Sequence, residues 1–177
     1  MFDTEADARG FQGFEHSSPS VRVKWSPQAP SVVIVSTDSD LRDDLADLLL
    51  GNSLTIVLVN GPEELRIVLE TEKVVACLCS FQLSDGKFRD VVSLTKGQPV
   101  EVPVILVSAA ESPSDRKDIL DCLIAGAFDF ISPPYRKTEV QRVVWSAVQT
   151  HSELARNKSG RKYISSNSQI KCGARSF

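Results

Sequence analysis

The stretch that decides the fold runs from Val32 to Leu49 and reads VVIVSTDSDLRDDLADLL. It opens with four consecutive apolar residues, a pattern typical of a strand that is buried on both faces of a parallel sheet. Leucines then recur with helical spacing among aspartates, which predicts an amphipathic helix with Asp38 or Ser39 as its N-cap. A strand followed at once by a helix is the repeating unit of α/β proteins.

The same strand–helix unit recurs four more times along the chain. We predict further strands at 55–59, 74–79, 104–107 and 128–131. A helix follows each strand: the first begins at Pro62, and the others span 88–96, 113–125 and 138–149. Five such units joined by short loops predict an α/β fold, a doubly wound five-stranded parallel sheet flanked by five helices. In such a sheet the functional crevice lies beyond the carboxyl ends of the strands. The candidate functional residues are therefore those at or just after strand ends, Ser36, Thr37, Asp38, Ser80, Ser108, Ala109 and Pro133.

The two ends of the chain differ in composition from the middle. They show no sustained apolar period and are rich in Ser, Pro, Gly and Asn. We therefore predict a disordered N-terminal extension over 1–30, one domain over 31–150 and a basic, disordered C-terminal tail over 151–177. The formal charges of the three regions are -1, -7 and +5, so the basic residues are concentrated in the tail.

Composition excludes several classes of protein. The 177 residues are 42% hydrophobic, yet the longest apolar runs reach only four to six residues, far short of the roughly 20 that a membrane-spanning helix needs. The first residues lack the basic and apolar regions of a secretory signal. The net charge of -3 argues against a protein that coats nucleic acid. We expect a soluble cytoplasmic protein.

Cysteine and histidine offer little for a metal or catalytic site. Cys77 and Cys79 point the same way on a predicted strand and could begin a metal site, but small buried hydrophobes are the simpler interpretation. Cys122 falls in a predicted helix and Cys172 in the tail. Neither His16 nor His151 falls in the predicted domain, which argues against a Ser–His or Cys–His hydrolase.

Three motifs together resemble one family. They are VIVSTDSDLR at 33–42, LSDG at 83–86 and AGAFDFISPPY at 125–135. In this order and spacing they resemble the CheY-like receiver domains of bacterial response regulators, over about residues 31–150. The resemblance implies the same five-stranded fold.

The resemblance also implies where the chemistry of a receiver would lie. In that family an aspartate takes a phosphoryl group from phosphohistidine, two acids hold Mg²⁺, and a hydroxyl and a lysine contact the phosphoryl oxygens. The acceptor aspartate falls on Ser80, and the two acids fall on Ser36 and Thr37, with Asp38 beside them. The hydroxyl falls on Ser108, and the lysine falls on Pro133. Phe130 falls on the family's rotating aromatic.

Most of these positions depart from the family pattern. Serine is a poor phosphoryl acceptor without a base, and one acid with two hydroxyls is a weak Mg²⁺ site. We therefore expect a degenerate pseudo-receiver with no catalytic residue, metal or cofactor. The simpler structural interpretations are a helix cap for Asp38, a loop hydrogen bond for Ser108 and a core position for Phe130. The family's cis peptide would fall between Pro133 and Pro134.

The leading hypothesis is therefore a stand-alone signalling protein that binds protein partners independently of phosphorylation and is not an enzyme. The resemblance places the partner or dimer face at 112–150, and mixed charges there suit a homodimer. Two alternatives remain open: a phosphorelay through Asp38 or Asp85, and nucleic-acid binding by the basic tail. The charged residues predicted on this face are Asp115, Arg116, Lys117, Asp118, Asp121, Arg136, Lys137, Glu139 and Arg142.

Overall fold

The computed structural model describes residues 29–51, 53–83, 86–108 and 116–167, without the side chains of 116–119, 121 and 160–167. Five strands alternate with five helices through this part of the chain. In order they are β1 (Ser31–Val35), α1 (Ser39–Leu49), β2 (Thr55–Val59), α2 (Pro62–Thr71), β3 (Val74–Ser80), α3 (Phe88–Lys96), β4 (Val104–Val107), α4 (Arg116–Ala125), β5 (Asp129–Ile131) and α5 (Lys137–Asn167).

All five strands pair in parallel, in the order β2-β1-β3-β4-β5. The predicted doubly wound α/β sheet is therefore confirmed. The strand order changes direction between β1 and β3, and such a switch point is where sheets of this kind place their crevice. The register aligns Val35 with Cys79 and Ser80 with Val107, so the ends of these strands lie side by side.

Helices cover both faces of the sheet, and the side chains of β1 show how. Val32 and Ile34 pack with α1 and α5, whereas Val33 and Val35 pack with α2, α3 and α4. Successive strand residues point to opposite faces. All four are buried, which explains why this strand is a continuous apolar run rather than an alternating one.

The turn between α4 and β5 requires glycine. Gly126 has a φ of 100°, in the left-handed region that favours glycine. A Cβ atom at this position would lie 1.9 Å from Nζ of Lys96. That ammonium group instead donates a hydrogen bond to the carbonyl of Ala125 at 3.2 Å, which satisfies one of the last carbonyls of α4.

The fifth helix is longer than predicted, and this corrects the predicted boundary of the C-terminal tail. It was expected to end at 149, with disorder over 151–177, but it continues to Asn167. His151, expected to lie outside the domain, is buried. The inner stripe of the helix continues through His151 and the half-buried Ala155, and Lys158 donates a hydrogen bond to the carbonyl of Pro99. These contacts hold the first part of the predicted tail against the domain.

Several predictions lie outside the described residues. These are most of the N-terminal extension, Asp85, the start of the fourth predicted helix and the chain beyond Asn167. Within the described ranges, no helix is both long enough and apolar enough to cross a bilayer.

Candidate functional site

The sequence-predicted site residues come together where the strands end. Ser36 directly follows β1 and Ser80 ends β3, and these strands are neighbours in the sheet. Ser108 follows β4, and Pro133 follows β5 by two residues. Thr37 and Asp38 continue from Ser36 into α1. We refer to this set as the carboxyl edge: Ser36, Thr37, Asp38, Ser80, Ser108 and Pro133.

The turn from β1 into α1 is closed by its own hydrogen bonds. The backbone N–H of Asp38 donates to Oγ of the buried Ser36 at 3.1 Å. Oδ1 of Asp38 accepts from the backbone N–H groups of Asp40 at 3.0 Å and of Leu41 at 3.2 Å. The predicted role of Asp38 as the helix cap is confirmed. Thr37, between them, is exposed.

The end of β3 is buried, and an aromatic side chain follows it. Ser80 is buried, and the N–H of Phe81 after it donates to the carbonyl of Val107 at 2.8 Å. The ring of Phe81 stacks on that of Phe88, with centroids 5.3 Å apart, and the guanidinium of Arg89 lies 5.3 Å from the centre of the Phe88 ring. The aromatic pair and the Arg89 cation therefore pack together at the residue that follows the position of the phosphoryl acceptor.

At the other end of the carboxyl edge, Tyr135 connects the segment after β5 to the end of β4. Its hydroxyl donates to the carbonyl of Ser108, whose N–H donates to the carbonyl of Ile131 at 3.0 Å. Burial raises the pKa of Tyr135, and the nearby carboxylates of Asp38 and Asp44 raise it further. The phenol therefore stays protonated and able to donate at neutral pH.

Pro133 and Phe130 complete this edge. The peptide bond between Pro133 and Pro134 is cis, as the family resemblance implied. Phe130 is half-buried and packs against the cluster shared by α2, α3 and α4, in agreement with its interpretation as a core residue. Proline has no cationic side chain, so position 133 cannot contact an anion as lysine does.

Comparison with known proteins decides what this fold is. No protein-family model matches the sequence, and no curated protein does. Solved structures do match. The signal receiver domain of an HD domain-containing protein from Pseudomonas fluorescens Pf-5 is 16% identical, with a TM-score of 0.62 over 71% of this chain and 99% of the other. A CheY-like response regulator receiver domain from Methanospirillum hungatei JF-1 is 17% identical, with a TM-score of 0.60 over 71% and 98%.

A third similar structure gives the same result. The signal receiver domain of a putative Luxo repressor protein from Vibrio parahaemolyticus is 18% identical, with a TM-score of 0.62 over 70% of this chain and 93% of the other. The chain has the receiver fold. At such identities the likeness carries the backbone and leaves the chemistry to the residues of this chain.

The residues of the carboxyl edge do not fit the Mg²⁺ that receiver domains hold. Mg²⁺ favours carboxylate oxygens in near-octahedral geometry. Here the first two positions are Ser36 and Thr37, and one oxygen of the Asp38 carboxylate is already engaged by two N–H groups of α1. Within the described part of the chain, no three His, Cys, Asp or Glu side chains are grouped to hold a metal.

A polar cluster beside this edge was missed by the sequence analysis. Asn60, which follows β2, accepts a hydrogen bond from Arg42 through its side-chain oxygen. Its backbone N–H and its Nδ2 both donate to the Glu64 carboxylate at 2.9 Å. The position of Asn60 directly after a strand was the available signal, but the end of β2 was not among the strand ends considered.

The cysteine pair belongs to the core of the receiver fold. Cys77 and Cys79 lie on the face of β3 that packs with α2, α3 and α4 and are fully buried, in agreement with their interpretation as small hydrophobes. Burial raises the pKa of the Cys77 thiol to about 12, and burial also raises that of Cys79. Both are therefore thiols rather than reactive thiolates at neutral pH.

The predicted partner face carries apolar side chains that packing leaves in solvent. Leu120, Leu123 and Ile124 on α4 are all exposed, Ile124 by 73%. With spacings of three and four residues they share one side of the helix, while Cys122 on the other side is fully buried. We refer to these three residues as the α4 stripe. The predicted charges at Arg136, Lys137, Glu139 and Arg142 are also exposed; the side chains of the other five lie outside the described part.

Proposed function

We propose that this chain is a protein–protein interaction module of a two-component type of signalling pathway, and that it acts without phosphorylation. The observation that carries the proposal is the composition of the carboxyl edge. On a receiver fold, serine stands at the acceptor position, serine and threonine stand at the metal positions, and proline stands at the lysine position. Under this proposal the chain is not an enzyme and holds neither Mg²⁺ nor another cofactor.

Chemistry supports the loss of phosphoryl transfer at Ser80. A serine hydroxyl needs a base to act as a nucleophile. Its strand neighbours contribute hydroxyls and apolar groups, and the nearest carboxylate in sequence to the first strand end, Asp38, caps α1. Transfer also needs cations to neutralise the moving phosphoryl charge, and Pro133 supplies none.

The α4 stripe supports the second half of the proposal, the binding of a protein partner. Three large apolar side chains on one side of a helix are costly to leave in water, by roughly 25 cal/mol per Å² of apolar surface. Their removal from water is the main driving force for protein association. Exposed charges of both signs lie just before and at the start of α5, the next helix in sequence, at Arg136, Lys137 and Glu139. An apolar centre with a charged rim is the usual anatomy of an interface.

A second copy of the chain fits this face as the first partner to test. Surfaces that pair across a two-fold axis must complement themselves, and mixed charges around an apolar stripe do so. We propose a homodimer through the α4 stripe, with a further signalling protein as the competing occupant. Cys77 and Cys79 are free thiols buried in the core, which fits the reducing cytoplasm that we propose as its compartment.

The test is the effect of one charge placed on the α4 stripe. Ile124→Glu is expected to weaken self-association by at least about tenfold, because a carboxylate would have to be desolvated in an apolar contact. Sedimentation velocity over a concentration series measures this. Ile67→Glu is the matched control, since Ile67 on α2 is similarly exposed, at 63%, and lies outside 112–150.

Ser80→Ala separates the two halves of the proposal. It should leave association unchanged, because binding is proposed not to depend on the acceptor position. If no self-association is seen, quantitative capture of partners by the wild type, Ile124→Glu and Ile67→Glu tests the competing occupant. Partners lost with both substitutions, or with neither, would contradict the proposed face.

The two alternatives gain no support from the described residues. A phosphorelay through Asp38 would need a carboxylate that is free to react, and this one caps a helix; Asp85 lies outside the described part. Nucleic-acid binding by the tail would use Lys158 among its basic groups, yet that ammonium donates to the carbonyl of Pro99.

A further inference from the structure

A groove lies between α5 and the loop that precedes β2. Its volume is about 340 Å³, enough to hold one large side chain. At its edge Trp145 is 54% exposed, an unusual position for the largest apolar side chain when nothing covers it. We refer to it as the α5 groove, which is lined by Leu54, Thr138, Gln141, Arg142, Val144 and Trp145.

The chain that precedes β1 starts beside this groove. The N–H of Thr55 donates to the carbonyl of Pro30 at 3.1 Å, and Leu54, the next residue along, lines the groove. Residue 25 is five residues before Pro30, and five extended residues reach about 16 Å. The segment just before the described residues therefore begins within reach of the α5 groove.

That segment has a pattern suited to an apolar surface. Residues 21–25 read VRVKW, in which apolar and basic side chains alternate. In an extended chain this alternation places Val21, Val23 and Trp25 on one side and the two basic residues on the other. The pattern is that of a segment with one buried and one solvated side.

Charge complementarity favours this occupant. Between Glu15 and Asp38 the chain has no acidic residue, and Arg22 and Lys24 make the segment basic. Helix α1 exposes Asp43, Asp44 and Asp47. It lies next to the groove, because Nε2 of Gln141, a lining residue, donates to the carbonyl of Leu48 at 2.9 Å. A basic edge along the segment would therefore face an acidic helix.

We propose that residues 21–25 dock in extended form in the α5 groove of their own chain, with Trp25 packed against Trp145 and Leu54. The sequence pattern alone predicted disorder over 1–30, and this inference revises that prediction for these five residues. It is independent of the function proposed for the α4 stripe, which lies on a different helix. Docking ties the N-terminal extension to α5 and covers the exposed face of Trp145.

Limited proteolysis of the full chain tests the proposal directly. Trypsin cuts after Arg9, Arg22 and Lys24, and only the last two lie in or next to the docked residues. Cleavage requires the open form, so a docked segment is protected in proportion to its docked population. We expect cleavage after Lys24 to be about tenfold slower than cleavage after Arg9. Intact mass spectrometry at early times of digestion measures both rates.

Two substitutions identify the groove as the cause of protection. Trp145→Ala and Trp25→Ser should each bring cleavage after Lys24 to within about twofold of cleavage after Arg9. Ile67→Ala is the matched control, because Ile67 is a similarly exposed apolar residue on α2 that does not line the α5 groove. This variant should keep the protection. Thermal melting of each variant confirms that the domain itself remains folded.

The dependence on protein concentration distinguishes the occupants. Protection that is constant over a hundredfold dilution supports docking within one chain. Protection that disappears on dilution assigns the groove to a second copy and overturns the proposal. Equal cleavage after Arg9 and Lys24 in the wild type overturns it as well, as does protection that survives Trp145→Ala.

Discussion

The carboxyl edge and the α4 stripe are two surfaces of one fold with opposite characters. At the carboxyl edge, polar groups are satisfied within the chain: Ser36 and Asp38 bond the turn into α1, and Tyr135 bonds the carbonyl of Ser108. On α4, large apolar side chains point into solvent. We propose that the first surface no longer supports phosphoryl transfer and that the second binds a protein. Under this proposal, the two surfaces of a receiver fold can change independently of each other.

The largest expected effect is a loss of stability of the whole fold, on which both surfaces depend. Ile34 is buried in β1, in the core shared with α1 and α5. Ile34→Ala should lower the free energy of unfolding by about 2–5 kcal/mol, since it loses buried apolar surface and leaves a cavity. Urea denaturation measures this, with Ile67→Ala expected to cost less than about 0.5 kcal/mol as an exposed control. Similar costs for the two would contradict the described core.

A smaller effect is confined to the carboxyl edge. Asp38→Ala removes the acceptor for two N–H groups of α1 and should cost about 1 kcal/mol. The control is Asp43→Ala, an exposed aspartate of the same helix that is not a cap. Both substitutions remove one carboxylate, so the difference between their denaturation curves measures the loss of the cap. Equal destabilisation would mean that Asp38 acts through charge alone, which would contradict its role as a cap.

The extension of α5 adds a pH dependence that belongs to neither surface. Burial lowers the pKa of His151 from its ordinary value of 6.5, and Lys73 lowers it further. Below pH 6.5 the His151 imidazole therefore binds a proton more readily in the unfolded chain than in the folded protein. The free energy of unfolding consequently falls as the pH falls. Wild type should lose more stability between pH 7.5 and 5.5 than His151→Gln does. Equal losses in the two denaturation series would show that His151 is not buried as described.

The smallest change in stability is expected on the α4 stripe. Ile124→Glu alters an exposed side chain and should shift the free energy of unfolding by no more than about 0.5 kcal/mol. The same substitution is expected to weaken association, so it separates folding from binding. If Ile124→Glu were strongly destabilising in urea, the side chain would belong to the core, and the contrast between the two surfaces would fail.

The sequence predicted the strands and the first helices well for a physical reason. Continuous apolar runs such as Val104–Val107 and a capped leucine stripe such as α1 carry their structure in short-range patterns. The end of α5 was missed because its inner stripe continues through His151 and Ala155, which do not look like core residues. The same part of α5 also contacts the loop that contains Pro99 through Lys158, and only the tertiary structure brings that loop near.

The candidate site was predictable in position and less so in its contacts. Strand ends alone located Ser36, Ser80 and Ser108, because parallel strands bring their carboxyl ends to one edge. The contact of Arg42 with Asn60 and the contact of Tyr135 with Ser108 join residues distant in sequence. The α4 stripe was hidden for another reason: periodicity finds a helix side but cannot tell that Cys122 is inside while Ile124 is outside.

The most direct test of the central claim is the intact mass of the purified protein after incubation with acetyl phosphate and Mg²⁺. We expect no added phosphoryl group on the wild type and none on Ser80→Ala. An adduct that is lost in Ser80→Ala would show that the serine itself accepts the group. A stoichiometric adduct that is labile to hydroxylamine and persists in Ser80→Ala would be an acyl phosphate on an aspartate. Either adduct would contradict the proposed loss of phosphoryl transfer.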